Sequence, residues 1–136
     1  MKKLITFFSL LLVSSCLLLW GCTAETGSEE GTSLDFTVVS QEEIPEELKG
    51  ILETNKESEL MLSYKIQDYF YLVRGYGKQD SSGYSITVNG VTLMEDGIHM
   101  DTSLIGPSSG EEIPKEPSCP YVVVKIEYME KAVIFD

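Results

Sequence analysis

Apolar side chains recur at every second position through most of the stretch from residue 60 to residue 104, and that period fixes the class of fold. Leu60, Leu62, Tyr64 and Ile66 alternate with Met61, Ser63, Lys65 and Gln67. Successive side chains of a strand point to opposite faces of its sheet, so such a run is a strand with one buried face. Tyr69 to Val73 is apolar at both parities and predicts a central strand. Tyr84, Ile86 and Val88 alternate again, Asn89-Gly90 marks a turn or a bulge, and Val91 to Met94 resumes the strand. Asp96-Gly97 predicts a hairpin turn into Ile98, Met100, Thr102 and Leu104.

The flanks complete the outline. Leu34 to Val39 predicts a first strand. Ser40 with Glu43 forms a capping-box pattern, and Pro45 suits a first helical turn. Ile44, Leu48, Ile51 and Leu52 make one apolar stripe at helical spacing, with Asn55 as the stop. Residues 106–120 hold two glycines and four prolines and read as a long loop. Tyr121 to Tyr128 and Ala132 to Phe135 read as a final hairpin around Glu130-Lys131. The expectation is a mainly β chain of α+β type: an antiparallel β-sandwich or open barrel with one helix near its start.

The N-terminus carries an address. Met1-Lys2-Lys3 is positive, and Leu4 to Trp20 is apolar apart from Thr6, Ser9, Ser14 and Ser15. A charged start followed by an apolar run is the outline of a secretory signal. Leu19-Trp20-Gly21-Cys22 then sets a small residue before a cysteine and resembles a bacterial lipobox, whose cysteine takes a diacylglyceryl group. Val13-Ser14-Ser15-Cys16 fits the local preferences better, because Trp20 is bulky, but cleavage there leaves Leu17 to Trp20 as an apolar stub. Cys22 is therefore the expected lipidation site. The apolar run only approaches the roughly 20 residues of a spanning helix, and no positive stop follows it. Residues 1–21 are read as a signal peptide, 22–33 as a flexible tether and 34–136 as one β-domain. The expected location is extracytoplasmic, on the bacterial cell membrane through the N-terminal lipid.

Charge and cysteine content exclude several functions. The chain has 22 acidic and 10 basic residues, a net charge of −12, and loss of the signal removes two lysines and no acid. Such a surface does not bind nucleic acid and is repelled by anionic lipid heads. Once Cys22 is modified and Cys16 removed, Cys119 is left without a disulfide partner. One histidine and no Cys/His cluster argue against zinc, and Asp80 with the acidic loop residues lacks EF-hand spacing. His99, Asp101 and Ser103 are the ingredients of a triad. On a strand they are spaced about 6.6 Å apart along one face, too far for the direct hydrogen bonds of nucleophilic catalysis. No enzyme activity, metal or cofactor is expected.

The stretch that points to a function is Arg74-Gly75-Tyr76-Gly77-Lys78-Gln79-Asp80-Ser81-Ser82-Gly83-Tyr84-Ser85-Ile86. Glycines bracket a polar loop between two strands, with aromatic residues at its base, and such a loop can present backbone groups to a partner. Gly75-Tyr76-Gly77 is not a dinucleotide fingerprint, because a strand follows it.

This loop, followed downstream by Pro120-Tyr121-Val122-Val123-Val124-Lys125-Ile126, resembles the C-terminal domain of the protease complex subunit PrcB family over roughly residues 60–135. The family pattern is a Gly-x-x-x-Thr-Gly-Gly-Tyr-Ser-Ile loop, a hairpin and a Pro-Tyr-Val-Val-Val-Lys closing strand. Here Asp80-Ser81-Ser82 stands where the family has Pro-Thr-Gly, while Gly83, Tyr84 and Ser85 are kept. The resemblance implies a lipoprotein with an accessory part in a surface protease complex. Gly77, Asp80, Ser81, Ser82, Gly83 and Tyr84 are the expected partner-binding residues, and the expected partner is an exported protein, a protease being the candidate. The loop also resembles the Thr-Gly-Tyr loop of chagasin-like cysteine-protease inhibitors, so an inhibitor is an alternative. A small-ligand binder of the cell envelope using Tyr69, Tyr71, Tyr84 and Tyr121 is another.

Overall fold

The structure is a computed structural model and describes residues 31–109 and 112–136. The signal, Cys16, Cys22 and the tether up to residue 30 lie outside the described residues. Eight strands form two four-stranded sheets. The first contains β1 (Thr32–Ser33), β5 (Ser85–Met94), β6 (Gly97–Ile105) and β8 (Val133–Phe135), in the order β1-β5-β6-β8. The second contains β2 (Thr37–Val38), β7 (Tyr121–Glu127), β4 (Tyr69–Tyr76) and β3 (Glu59–Ile66), in the order β2-β7-β4-β3. All pairings are antiparallel except that of β6 with β8. The result is a sandwich, and no barrel closes.

Two apolar clusters account for the patterning. Leu72, Val122, Val124 and Ile126 of the second sheet meet Val91, Ile98 and Met100 of the first. The opposite face of the second sheet, through Tyr71, Val73 and Val123, packs under the helix α1 (Glu46–Asn55). A sheet covered on both faces needs strands that are apolar at both parities. This is why Tyr69–Val73 and Tyr121–Ile126 lack alternation, and why β4 and β7 are the two central strands. On the edge strand β3 the alternation is complete: Leu60, Leu62, Tyr64 and Ile66 pack toward the helix, while Glu59, Met61, Ser63 and Lys65 are exposed.

The helix begins later than the capping box predicts. Ser40 makes no side-chain cap bond; its carbonyl accepts the Glu43 N–H at 3.0 Å and closes a 3-10 turn over Gln41–Glu43. Proline disfavours helical backbone in the residue before it. Ile44 is accordingly extended (φ −66°, ψ 127°), and α1 starts after Pro45, whose carbonyl accepts from Leu48 and Lys49. Ile44, Leu48 and Leu52 still form one buried row, and Asn55 is the last helical residue. Each fully buried leucine contributes about 1.5–3 kcal/mol, enough to hold a ten-residue helix that is marginal alone.

Three other expectations are corrected. Thr32 and Ser33, read as the end of the tether, pair with Leu93 and Thr92 of β5. The single first strand over 34–39 is instead a crossover: β1 lies in one sheet and β2 in the other. The final hairpin does not form, because β8 leaves β7 and pairs in parallel with β6, where Val133 and Phe135 close the edge of the inter-sheet core. Asn89-Gly90, by contrast, is the bulge that the sequence allowed. The register shifts between Val88 and Gly90, so Ile86 and Val88 before it and Val91 and Leu93 after it all face the core.

Candidate functional site

The loop between β4 and β5 stands at one end of the sandwich and is held from both sides. Gly77 opens it at φ +72°, a left-handed conformation that suits glycine. A Cβ there would lie 3.2 Å from the Glu57 carbonyl oxygen and 3.3 Å from the Glu59 nitrogen. Gly77 is buried, so its part is to turn the chain. Beyond it the Lys78 N–H donates to the Glu57 carbonyl at 3.1 Å. Gln79 and Ser118 then exchange backbone hydrogen bonds of 2.7 and 3.1 Å, which clamps the loop to the proline-rich segment ahead of β7. The Ser118 hydroxyl donates to the Ser81 carbonyl at 2.7 Å, and the Ser82 hydroxyl to the Pro114 carbonyl at 3.3 Å. Gly83 closes the loop at φ +88°, against Pro107.

Of the six residues expected to meet a partner, Asp80 and Gly83 are exposed, together with Lys78. Ser81, Ser82 and Tyr84 are half-buried, the two serines against the 114–118 segment and Tyr84 beside Gly106. The candidate surface is therefore composite, built from two loops that the sequence places more than 30 residues apart. Nothing in the sequence signals Ser118 or Pro114 as braces, because their contacts depend on where β7 begins.

Beneath the loop lies a polar knot. Arg74 reaches Glu59 at 2.8 Å and donates to the Gly75 carbonyl at 2.9 Å, and its guanidinium sits 4.2 Å from the centre of the Tyr76 ring. The Tyr76 hydroxyl lies 2.7 Å from the Thr102 hydroxyl across the sandwich, so the base of the loop is tied to the first sheet.

His99, Asp101 and Ser103 occupy the outer face of β6, as their spacing predicts, and are not brought together. The His99 ring lies between two other carboxylates, Nδ1 at 2.7 Å from Asp136 and Nε2 at 2.7 Å from Asp96. These hydrogen bonds, Asp136 first, raise its pKa above the ordinary 6.5. Asp101 and Ser103 both accept from the Asn89 side chain, at 3.2 and 2.9 Å.

The four tyrosines also separate. Tyr69 and Tyr71 line an open cleft of about 930 Å³ with Phe36, Glu43 and Lys125. It exists because α1, about 15 Å long, covers only part of strands that run about 26 Å. The Lys125 ammonium lies 3.9 Å from the centre of the Tyr69 ring. Tyr84 is in the loop, and the Tyr121 hydroxyl donates to Gln41 at 2.9 Å. Cys119 is a free, half-buried thiol beside the Ser118 clamp.

Two stacked sheets, an outer helix and one braced loop end define a β-sandwich module that displays a composite loop surface. Residues 70–127, from β4 to the end of β7, match the family model PrcB C-terminal. No curated protein and no solved structure matches the chain. The family match is narrower than the 60–135 read from the residues and leaves out β3, α1 and β8.

Proposed function

We propose that the protein is a non-catalytic lipoprotein, anchored outside the cytoplasmic membrane through Cys22, that binds an exported protein partner as an accessory subunit of a surface protease complex. The observation that carries this reading is the composite loop surface. A loop clamped through Gln79, Ser81 and Ser82 to the 114–118 segment has already lost most of its freedom. Binding through it costs little further ordering. The family match lies over this surface and supports the protease-complex part of the reading.

Partner capture from crosslinked membranes tests it, with the full chain as bait and Asp80→Lys and Tyr84→Ala as variants. The wild type should recover an exported protein that both variants lose. Equal recovery from all three would remove the loop from the reading. Adding the protein to the captured protease separates an accessory subunit, which maintains or raises activity, from an inhibitor, which lowers it.

A further inference from the structure

Sheet edges carry unpaired backbone N–H and C=O groups and accept further strands unless shielded. This sandwich has four edge strands, and three are only two or three residues long: β1, β2 and β8. The fourth, β3, runs eight residues, Glu59–Ile66, with unbroken register against β4. Its outer side meets no other strand, and no backbone bond outside the ladders reaches it among the described residues. Its shields are few, the charged Glu59 and Lys65 near its two ends. There is no proline, glycine or bulge, and the central residues Leu60-Met61-Leu62-Ser63-Tyr64 carry no charge. Met61 is 55% exposed.

The side chains say what fits there. Antiparallel pairing places residues of the same face directly opposite one another. Two copies of β3 related by a two-fold axis at Leu62 would pair Leu62 with Leu62, Leu60 with Tyr64, Met61 with Ser63 and Glu59 with Lys65. The two charges of the strand therefore meet their opposites twice, and its half-buried apolar residues meet one another. A symmetric interface requires such self-complementarity. Glu59 already holds Arg74, but its side chain is 58% exposed and can accept a second cation. Lys65, now 4.0 Å from the centre of the Tyr128 ring, is exposed and within reach of the edge.

We infer that β3 is a homodimerisation edge: two copies of the chain join antiparallel in the Leu62-centred register and extend the second sheet from four strands to eight. The two-fold axis stands perpendicular to that sheet, so both helices lie on one face of the dimer and both first sheets on the other. Both copies of β1 consequently lie on the same face. Net negative charge opposes association, yet it acts over about 8 Å at physiological salt, whereas the strand contacts are direct.

The test uses the full chain in the membranes of expressing cells under mild oxidation. In this register the Cα atoms of Met61 and Ser63 face each other at about 4.5–5.5 Å, within disulfide range, while the two Met61 positions lie about 8 Å apart, beyond it. The double variant Met61→Cys/Ser63→Cys should give a reducible species of twice the chain mass, well above the parent, whose own cysteines set the baseline. Met61→Cys alone should stay near that baseline. Adding Lys65→Glu to the double variant sets like charges opposite each other twice and should lower the crosslinked fraction roughly ten-fold. All three positions are exposed, and the reduced variants should keep the parent's unfolding midpoint. No self-dimer, equal crosslinking by the single variant, or capture only of a different chain overturns the inference.

Discussion

The Tyr76 hydroxyl and the Thr102 hydroxyl lie 2.7 Å apart and form a polar link between the two sheets at the loop end of the sandwich. Thr102 is 8% exposed and sits in the inward row with Ile98 and Met100. A hydroxyl there needs a partner, and Tyr76 supplies it. Thr102→Val and Tyr76→Phe should each cost about 0.5–1.5 kcal/mol in urea unfolding. The double variant should cost clearly less than the sum, since each single change already removes the shared bond. Full additivity would show that the bond contributes nothing.

Glycine should behave oppositely at two positions. Gly77→Ala forces a Cβ against the backbone of residues 57–59 at φ +72° and should lose about 1–2 kcal/mol. Gly50 lies within α1, exposed, with nothing within 4 Å of an added Cβ. Gly50→Ala should raise stability by about 0.5–1 kcal/mol. Thermal midpoints that move in the same direction for both would contradict this account of the loop.

His99 gives the fold a pH dependence whose sign is fixed. Asp136 and Asp96 raise its pKa in the folded state, so the native protein binds this proton more tightly than the unfolded chain. The contribution is complete below the ordinary value of 6.5 and is lost as pH climbs through the raised one. Unfolding should show the advantage of wild type over His99→Gln shrinking as pH rises above the ordinary 6.5. A constant difference would mean that the two carboxylates do not hold the ring in solution.

Processing provides a check on the proposed anchor. Mass spectrometry of the mature N-terminus should find diacylglyceryl on Cys22. Lipid on Cys16, or an unmodified terminus, would move or remove the anchor, and Cys22→Ser should release the protein from membranes.

What was legible in the sequence was periodic. The alternation in β3, its loss in β4 and β7, and the Asn89-Gly90 bulge were all readable, because side-chain parity is set by one sheet's two environments. What was hidden depends on long-range choices. Two-residue strands such as β1 and β2 carry no period, so the crossover from one sheet to the other looked like one strand. Val133 and Phe135 could pair with β7 or with β6, and only the need to close the inter-sheet core decides between them. In the site, Gly77, Gly83 and the glycine-bracketed loop were visible. Ser118 and Pro114 were not, since a serine and a proline in a loop carry no sign of the carbonyl or hydroxyl they will meet.

One consequence follows from where β1 lies. It pairs with Leu93 and Thr92, at the hairpin end of β5, whereas the composite loop surface begins beside Ser85 at the other end. Eight residues of strand separate the two, about 27 Å. In a single copy the loop surface thus lies at the end of β5 remote from β1. Two copies joined along β3 run in opposite directions and carry their loops at opposite extremities. The pair would then be a divalent clamp, able to grip two sites at once without either loop crowding the other, and its hold on a repeating target would exceed that of one copy through effective concentration alone.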